Sequence, residues 1–428
     1  MKTDVQQLIP ALRFPEFEGE WVKQKLGEIC NKVGSGSTPR GGVEVYTKTG
    51  IPFIRSQNVI NNQLILDQVH IPQIIHLKMS GSKVLSNDIL LNITGGSIGR
   101  SCVVPDSFLE GNVNQHVSII RLKEYNSDFL QSFLSSFRGQ KLVFQSMTGS
   151  GREGLNFQSI REFKISFPSL PEQQKIASFL TTIDSRIQAL EKKKSSLEQY
   201  NKGVMQKIFT QEIRFKDEDG KDFPEWEEKK LGEVYSFLST NSFSRDKLNY
   251  DKGKTRNIHY GDIHTKFSSA FKIKNEKVPY INDDVDISQI KDESFCQEGD
   301  IVIADASEDY ADIGKTIELV KLHGEKLLAG LHTFLARPIS TNTKVGFSCH
   351  LFKSWKVRKQ IMIIAQGTKV LGISKGRMSK ISIEIPSIQE QTHIANFLTA
   401  IDKKIALVNE QIEKTKAYKK GLLQKMFV

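Results

Sequence analysis

Hydrophobic positions in this chain change their period twice, in the same way each time. From Ile176 they step by four and three residues through Leu180, Ile183, Ile187, Leu190, Leu197 and Val204. From Ile394 they do so again through Leu398, Ile401, Ile405, Val408, Ile412 and Leu422. Stripes of that spacing predict two long helices with a coiled-coil seam. Ser169 with Glu172, and Ser387 with Glu390, have capping-box spacing and mark where each helix begins. Lys194, Asn201, Thr415 and Lys419 interrupt the stripe; they either fix its register or stand where it frays into solvent. Elsewhere the apolar residues fall in short runs at 89–93, 117–122 and 164–167, which read as strands. The stretches 34–39 and 94–99, rich in Gly and Ser, read as turns.

The two helical stretches are copies. Pro168-Ser169-Leu170-Pro171-Glu172-Gln173 answers Pro386-Ser387-Ile388-Gln389-Glu390-Gln391, and the offset of 218 from Pro168 to Pro386 holds without a gap to the chain end. Eighteen of the 42 aligned positions, 168–209 against 386–427, are identical. Upstream, Trp21 with Lys25-Leu26-Gly27-Glu28 answers Trp226 with Lys230-Leu231-Gly232-Glu233. Fainter echoes pair 54–59 with 258–263, Asp88 with Asp300 and His116 with His332. Each half is therefore a divergent α/β or α+β block, rich in sheet, followed by a long helix. Two such helices in one chain most simply pair with each other, antiparallel; 38 residues would span about 57 Å.

Composition narrows the class. Lys and Arg outnumber Asp and Glu by 60 to 49, for a net charge of +11. That balance favours a polyanionic partner, although lysines on helix faces account for part of it. No apolar run is long enough for a membrane helix, and Pro10 and Arg13 interrupt the only apolar cluster near the N-terminus, so a cytoplasmic protein is expected. Cys30, Cys102, Cys296 and Cys349 have no metal-ligand spacing.

Several catalytic-looking motifs fail on their context. Gly95-Gly96-Ser97-Ile98-Gly99 fits a nucleophile elbow, but residues 100–104 continue as strand where a helix is required. Gly314-Lys315-Thr316 copies the end of a phosphate loop, yet Asp309 stands where its first glycine belongs. Pro105-Asp106 with Glu110 lacks the lysine of a metal-dependent nuclease. His116 and His332, matched across the repeat, suit a structural role better than catalysis. No catalytic residue and no metal site is expected.

Binding to DNA needs donors for phosphates and planar side chains for base edges. In the first block the candidates are Arg55, Gln57, Asn58, Thr94, Arg100, Gln115 and Arg152. In the second they are Lys254, Arg256, His259, Tyr260, His264, Lys369, Lys375 and Arg377.

With these features the chain resembles, along nearly its full length, the specificity subunits of type I restriction–modification systems. The Trp–Lys-Leu-Gly-Glu openings, the Pro-x-x-x-Glu-Gln signatures at 168 and 386, the Ile-Ala-x-Phe-Leu-x-x-Ile-Asp stretches and the Tyr-x-Lys-Gly near each helix end carry the resemblance. It implies target recognition domains at 14–168 and 211–386, with twisted sheets, and conserved spacer helices at 169–210 and 387–428, related by a pseudo-twofold repeat. It further implies a bipartite, asymmetric double-stranded DNA site. Two modification subunits using S-adenosylmethionine and restriction subunits using ATP and Mg²⁺ are the implied partners, with no cofactor in this chain. A methyltransferase or nuclease in its own right, or a coiled-coil scaffold that binds only protein, are the competing classes.

Overall fold

A computed structural model describes residues 8–60, 62–148, 154–341 and 343–428. The chain divides into two compact units, one of residues 1–192 with 409–428 and the other of residues 193–408.

In the first unit Cys30–Ser35 pairs antiparallel with Val117–Leu122, which pairs in turn with Ile89–Asn92 and, beyond it, Ser101–Val103. A second sheet runs in the order His70–Ile71, Ile51–Ile54, Gly111–Val113, Lys83–Val84, with a parallel pairing at its centre. The apolar run at 89–91 follows from burial on both faces. Ile89 and Leu91 point into a core shared with the helices Ser127–Ser135 and Phe137–Gln145, while Leu90 points into a core shared with the second sheet. Alternation along a strand sends neighbours to opposite faces, and here both faces are covered. Gly34 and Ser35, expected in a turn, instead complete a strand, because Val117–Leu122 supplies a partner as far as Ser35.

The second unit repeats this plan. Its main sheet is ordered Tyr235–Leu238, Thr333–Pro338, Ile301–Ala304, Thr316–Lys321, Ala270–Lys272. A smaller sheet contains Leu248–Asn249, Tyr280–Ile281, Arg256–Ile258 and Leu327–Ala329. Ile301 and Ile303 face one core and Val302 and Ala304 the other. Each unit also has a two-stranded ribbon, Val22–Lys25 with Lys164–Phe167 and Glu227–Lys230 with Ser382–Ile385. Leu26 and Leu231, just past the ribbons, are fully buried. The glycine after each permits close approach: a Cβ at Gly27 would meet the Arg161 Cβ at 2.9 Å, and one at Gly232 the Ser379 Cβ at 3.0 Å.

The long helices run Leu170–Phe209 and Ile388–Met426. In the first unit Lys419 Nζ lies 2.6 Å from Asp184 and Lys416 Nζ 2.7 Å from Glu191, so the helix segments there are antiparallel. In the second unit the Asn201 amide donates to Asp402 at 2.7 Å. All the stripe residues are buried or half-buried: Ile176, Leu180, Ile183, Ile187, Leu190, Leu197 and Val204, then Ile394, Leu398, Ile401, Ile405, Val408, Ile412 and Leu422. The stripe is not coiled-coil seam throughout, however. Ile176 and Leu180 belong to the core of the first unit with Trp21, Phe129 and Phe167, and Ile394 and Leu398 to that of the second with Tyr235 and Phe347. Of the polar interruptions, Lys419 and Asn201 reach the other helix. Lys194 lies 3.9 Å from Glu198 on its own helix, and the Thr415 hydroxyl donates to Gln411 O.

Candidate nucleic-acid interface

A common frame in each unit fixes where the loops sit. At the start of each long helix a buried glutamate is gripped by an arginine and a tryptophan. Arg13 donates to Glu172 at 2.8 and 2.7 Å, and the Trp21 indole at 3.4 Å. Arg214 donates to Glu390 at 3.2 and 2.9 Å, and the Trp226 indole at 3.0 Å. These carboxylates therefore do not turn back to close a capping box; Ser387 Oγ still accepts from Glu390 N at 3.3 Å. The adjacent glutamine ties strand to helix: Gln173 donates to Pro168 O and accepts from Asn126 N, while Gln391 donates to Pro386 O and accepts from Lys344 N. The echo of Asp88 in Asp300 is a further strut, with Arg121 bidentate on buried Asp88 and Arg337 bidentate on buried Asp300. In both units the aspartate desolvated by the fold thus has a full ionic partner.

On this frame, four loops of the first unit converge. Thr38 donates to Gln115 at 2.7 Å, Thr94 Oγ1 and His116 Nδ1 are 2.6 Å apart, and the buried Asn92 amide bridges Ser56 O at 2.8 Å and Ser97 Oγ at 3.1 Å. Thr94, Gln115 and His116 are thereby brought together, with exposed Arg100 following the Ser97 turn. Arg55 and Gln57 both engage Asp67. Asn58 departs from its expected surface position: it is buried, donating to Ile65 O and accepting from Arg55 N, and so holds the loop rather than a ligand. Arg152 lies outside the described residues.

In the second unit a groove of about 550 Å³ is lined by Asp305, His332, Gln366, Ser374 and Arg377, among others. Tyr260 packs edge-on to His332, with ring centres 5.2 Å apart, and to His264 at 5.9 Å. Lys375 donates to Leu238 O at 3.1 Å and lies close enough to Asp305 to favour its ionised form, against the burial that raises its pKa. Lys369 is exposed on the loop that leads to Val370 and Leu371 of the groove. Not every candidate joins them. Arg256 is paired with Glu325, donates to Val278 O and stacks over the Tyr280 ring at 4.3 Å; exposed Lys254 precedes it at that end of its strand. His259 is buried, its Nδ1 accepting from Gly261 N, and burial pushes its pKa below the usual histidine value.

Asp305, Gln366 and Ser374 were not singled out from sequence. The signal for Asp305 lay in the repeat, where it falls one register from a Thr–His pair. The failed motifs resolve cleanly: strand Ser101–Val103 follows Gly99, and strand Thr316–Lys321 begins at Thr316 of the phosphate-loop look-alike. Glu110 is paired with Lys83 and His76, and among the described residues no cluster of His, Cys, Asp and Glu could hold a metal ion. No described helix is long and apolar enough to cross a membrane.

Comparison with known proteins gives a consistent picture. Residues 18–199 and 224–417 match the family described as type I restriction modification DNA specificity domain. The type I restriction enzyme MjaVIII specificity subunit of Methanocaldococcus jannaschii is 26% identical over 95% of this chain and 91% of its own length. The putative MjaX specificity subunit of the same organism is 23% identical over 94% of this chain and 92% of its own. Among solved structures, the type I restriction–modification S subunit from M. genitalium superposes with a TM-score of 0.60 at 14% identity, covering 98% of this chain and 99% of that one.

Proposed function

Because the chain belongs to the type I restriction modification DNA specificity family, we propose that it reads DNA for such a system and leaves the reactions to other subunits. Each unit reads one half of an asymmetric, interrupted double-stranded site, and the long helices set the gap between the halves. Two modification subunits dock on those helices and methylate adenine with S-adenosylmethionine. Restriction subunits, using ATP and Mg²⁺, complete the nuclease.

One observation carries this reading. The Glu–Arg–Trp grip, the Asp–Arg strut and the helix start recur in both units. The loop ends on that common frame differ: the matched histidine meets the Thr94 hydroxyl beside a Thr38–Gln115 hydrogen bond in the first, and the Asp305 carboxylate in a groove with Arg377 in the second. Phosphate contacts position a protein on DNA and base-edge contacts specify the sequence. A shared frame with unlike chemistry at its tips is what two unlike half-sites require.

The test is methylome sequencing of a host carrying this chain with its modification subunit, against a host lacking the chain. The expected result is one new bipartite motif, methylated on adenine in both halves, with a fixed gap. No new motif, with both proteins expressed and associated, would overturn the proposal.

A further inference from the structure

We propose that Asp305 selects the base pair at one position of the half-site read by the second unit. The reading rests on the function proposed above and adds a residue and a base chemistry to it.

The two units share a backbone node that shows which side chains correspond. In the first, Ile93 N donates to His116 O at 3.0 Å and Ile93 O accepts from Leu155 N at 3.0 Å. In the second, Asp305 N donates to His332 O at 3.1 Å and Asp305 O accepts from Ile373 N at 2.9 Å. Ile93 is buried in the core. Its counterpart is a carboxylate, 23% exposed, lining the groove. The matched histidines consequently take different partners, Thr94 Oγ1 at 2.6 Å in the first unit and Asp305 Oδ1 at 3.2 Å in the second.

A carboxylate only accepts, so His332 Nδ1 donates, which orients Asp305 and turns the other imidazole nitrogen outward. His332 is held at φ 54, in the left-handed region, and its ring lies edge-on to Tyr260. Arg377 and Lys375 supply cations beside the groove that suit phosphates. A carboxylate facing phosphates would be repelled. Asp305 therefore belongs opposite a base that offers an amino group in the major groove, cytosine N4 or adenine N6. Ile93 gives the first unit no such demand.

The experiment compares the chain with Asp305→Asn and Asp305→Ala variants, each in complex with the modification subunit, by methylome sequencing and by competition with duplexes altered at single base pairs of the second half-site. The expected result is that one C·G or A·T position in that half becomes degenerate, with its discrimination falling at least tenfold. The first half and the gap stay unchanged. An unchanged motif with unchanged discrimination in both variants overturns the inference and leaves the proposed function standing. So does loss of binding to specific and non-specific DNA alike in both variants, which would assign Asp305 to the fold. If the unaltered chain directs no bipartite methylation at all, it is the proposed function that fails.

Discussion

Glu318 is a buried carboxylate accepting from Gly346 N at 2.6 Å and Cys349 N at 2.8 Å. Burial outweighs those donors and pushes its pKa up to about 7. An unfolded glutamate titrates near 4.3, so between about pH 4.3 and 7 the folded chain holds the proton more tightly, and stability falls as pH rises. The span is worth on the order of 3 kcal/mol. His350 works against it: burial lowers its pKa to about 4, so stability rises with pH up to the unfolded value near 6.5. Glu318→Gln should therefore gain stability relative to the parent as pH climbs from 5 to 7.5; equal slopes in thermal melts across that range would refute the assignment. The arginine grip makes a second prediction. Arg13→Met leaves Glu172 buried without its ion partner and should cost about 3 kcal/mol, with Arg214→Met costing a similar amount through Glu390. Pairing each with Glu→Met should recover part of the loss, which a double-mutant cycle by denaturant melts would measure. These grips were hidden from an ungapped comparison of the halves. Leu12-Arg13-Phe14 does repeat as Ile213-Arg214-Phe215, but a turn closed by the Lys216–Asp222 bridge lengthens the path to Trp226.

At the scale of elements, the helices were the most legible feature, since a period sustained over about ten turns is a property of many residues at once. What the period alone could not separate was packing on a sheet domain from packing on another helix. Ile176 and Leu190 look alike in the stripe, yet Ile176 shares a core with Trp21 and Phe129 while Leu190 lies beyond that core, half-buried. The loop tips were least legible, because direction and partner there depend on nodes such as Asn92 and Asp305, whose neighbours come from distant segments. The repeat does give one pair a direct test. Asp184–Lys419 and Asp402–Asn201 occupy equivalent places, charged in one unit and amide in the other. Asn201 Oδ1 is buried without a hydrogen-bond partner. Asn201→Lys should replace that orphan acceptor by a second ion pair and raise stability by about 1 kcal/mol, whereas Lys419→Asn should lower it by a similar amount. Unchanged melting temperatures in both variants would show that these positions do not act across the helix pair.

For the whole molecule, the decisive question is whether half-site and gap are set by separate parts. The groups proposed to read bases lie within 38–116 in the first unit and 260–377 in the second, and none of them is on the long helices. On the proposed function, frame and reader are thus different residues, and changes to one should leave the other alone. Inserting four residues, about one turn, within 185–205 adds about 6 Å of helix, roughly the rise of two base pairs at 3.4 Å each. Methylome sequencing of the insertion variant should then return both half-sites unchanged with a longer gap between them. An unchanged gap would separate spacing from the helix, and an altered half-site would show that the frame takes part in reading the bases. The first outcome would move the determinant of spacing to the modification subunits, and the second would place the grip on Glu172 and Glu390, rather than the loop tips alone, in the path from protein to base.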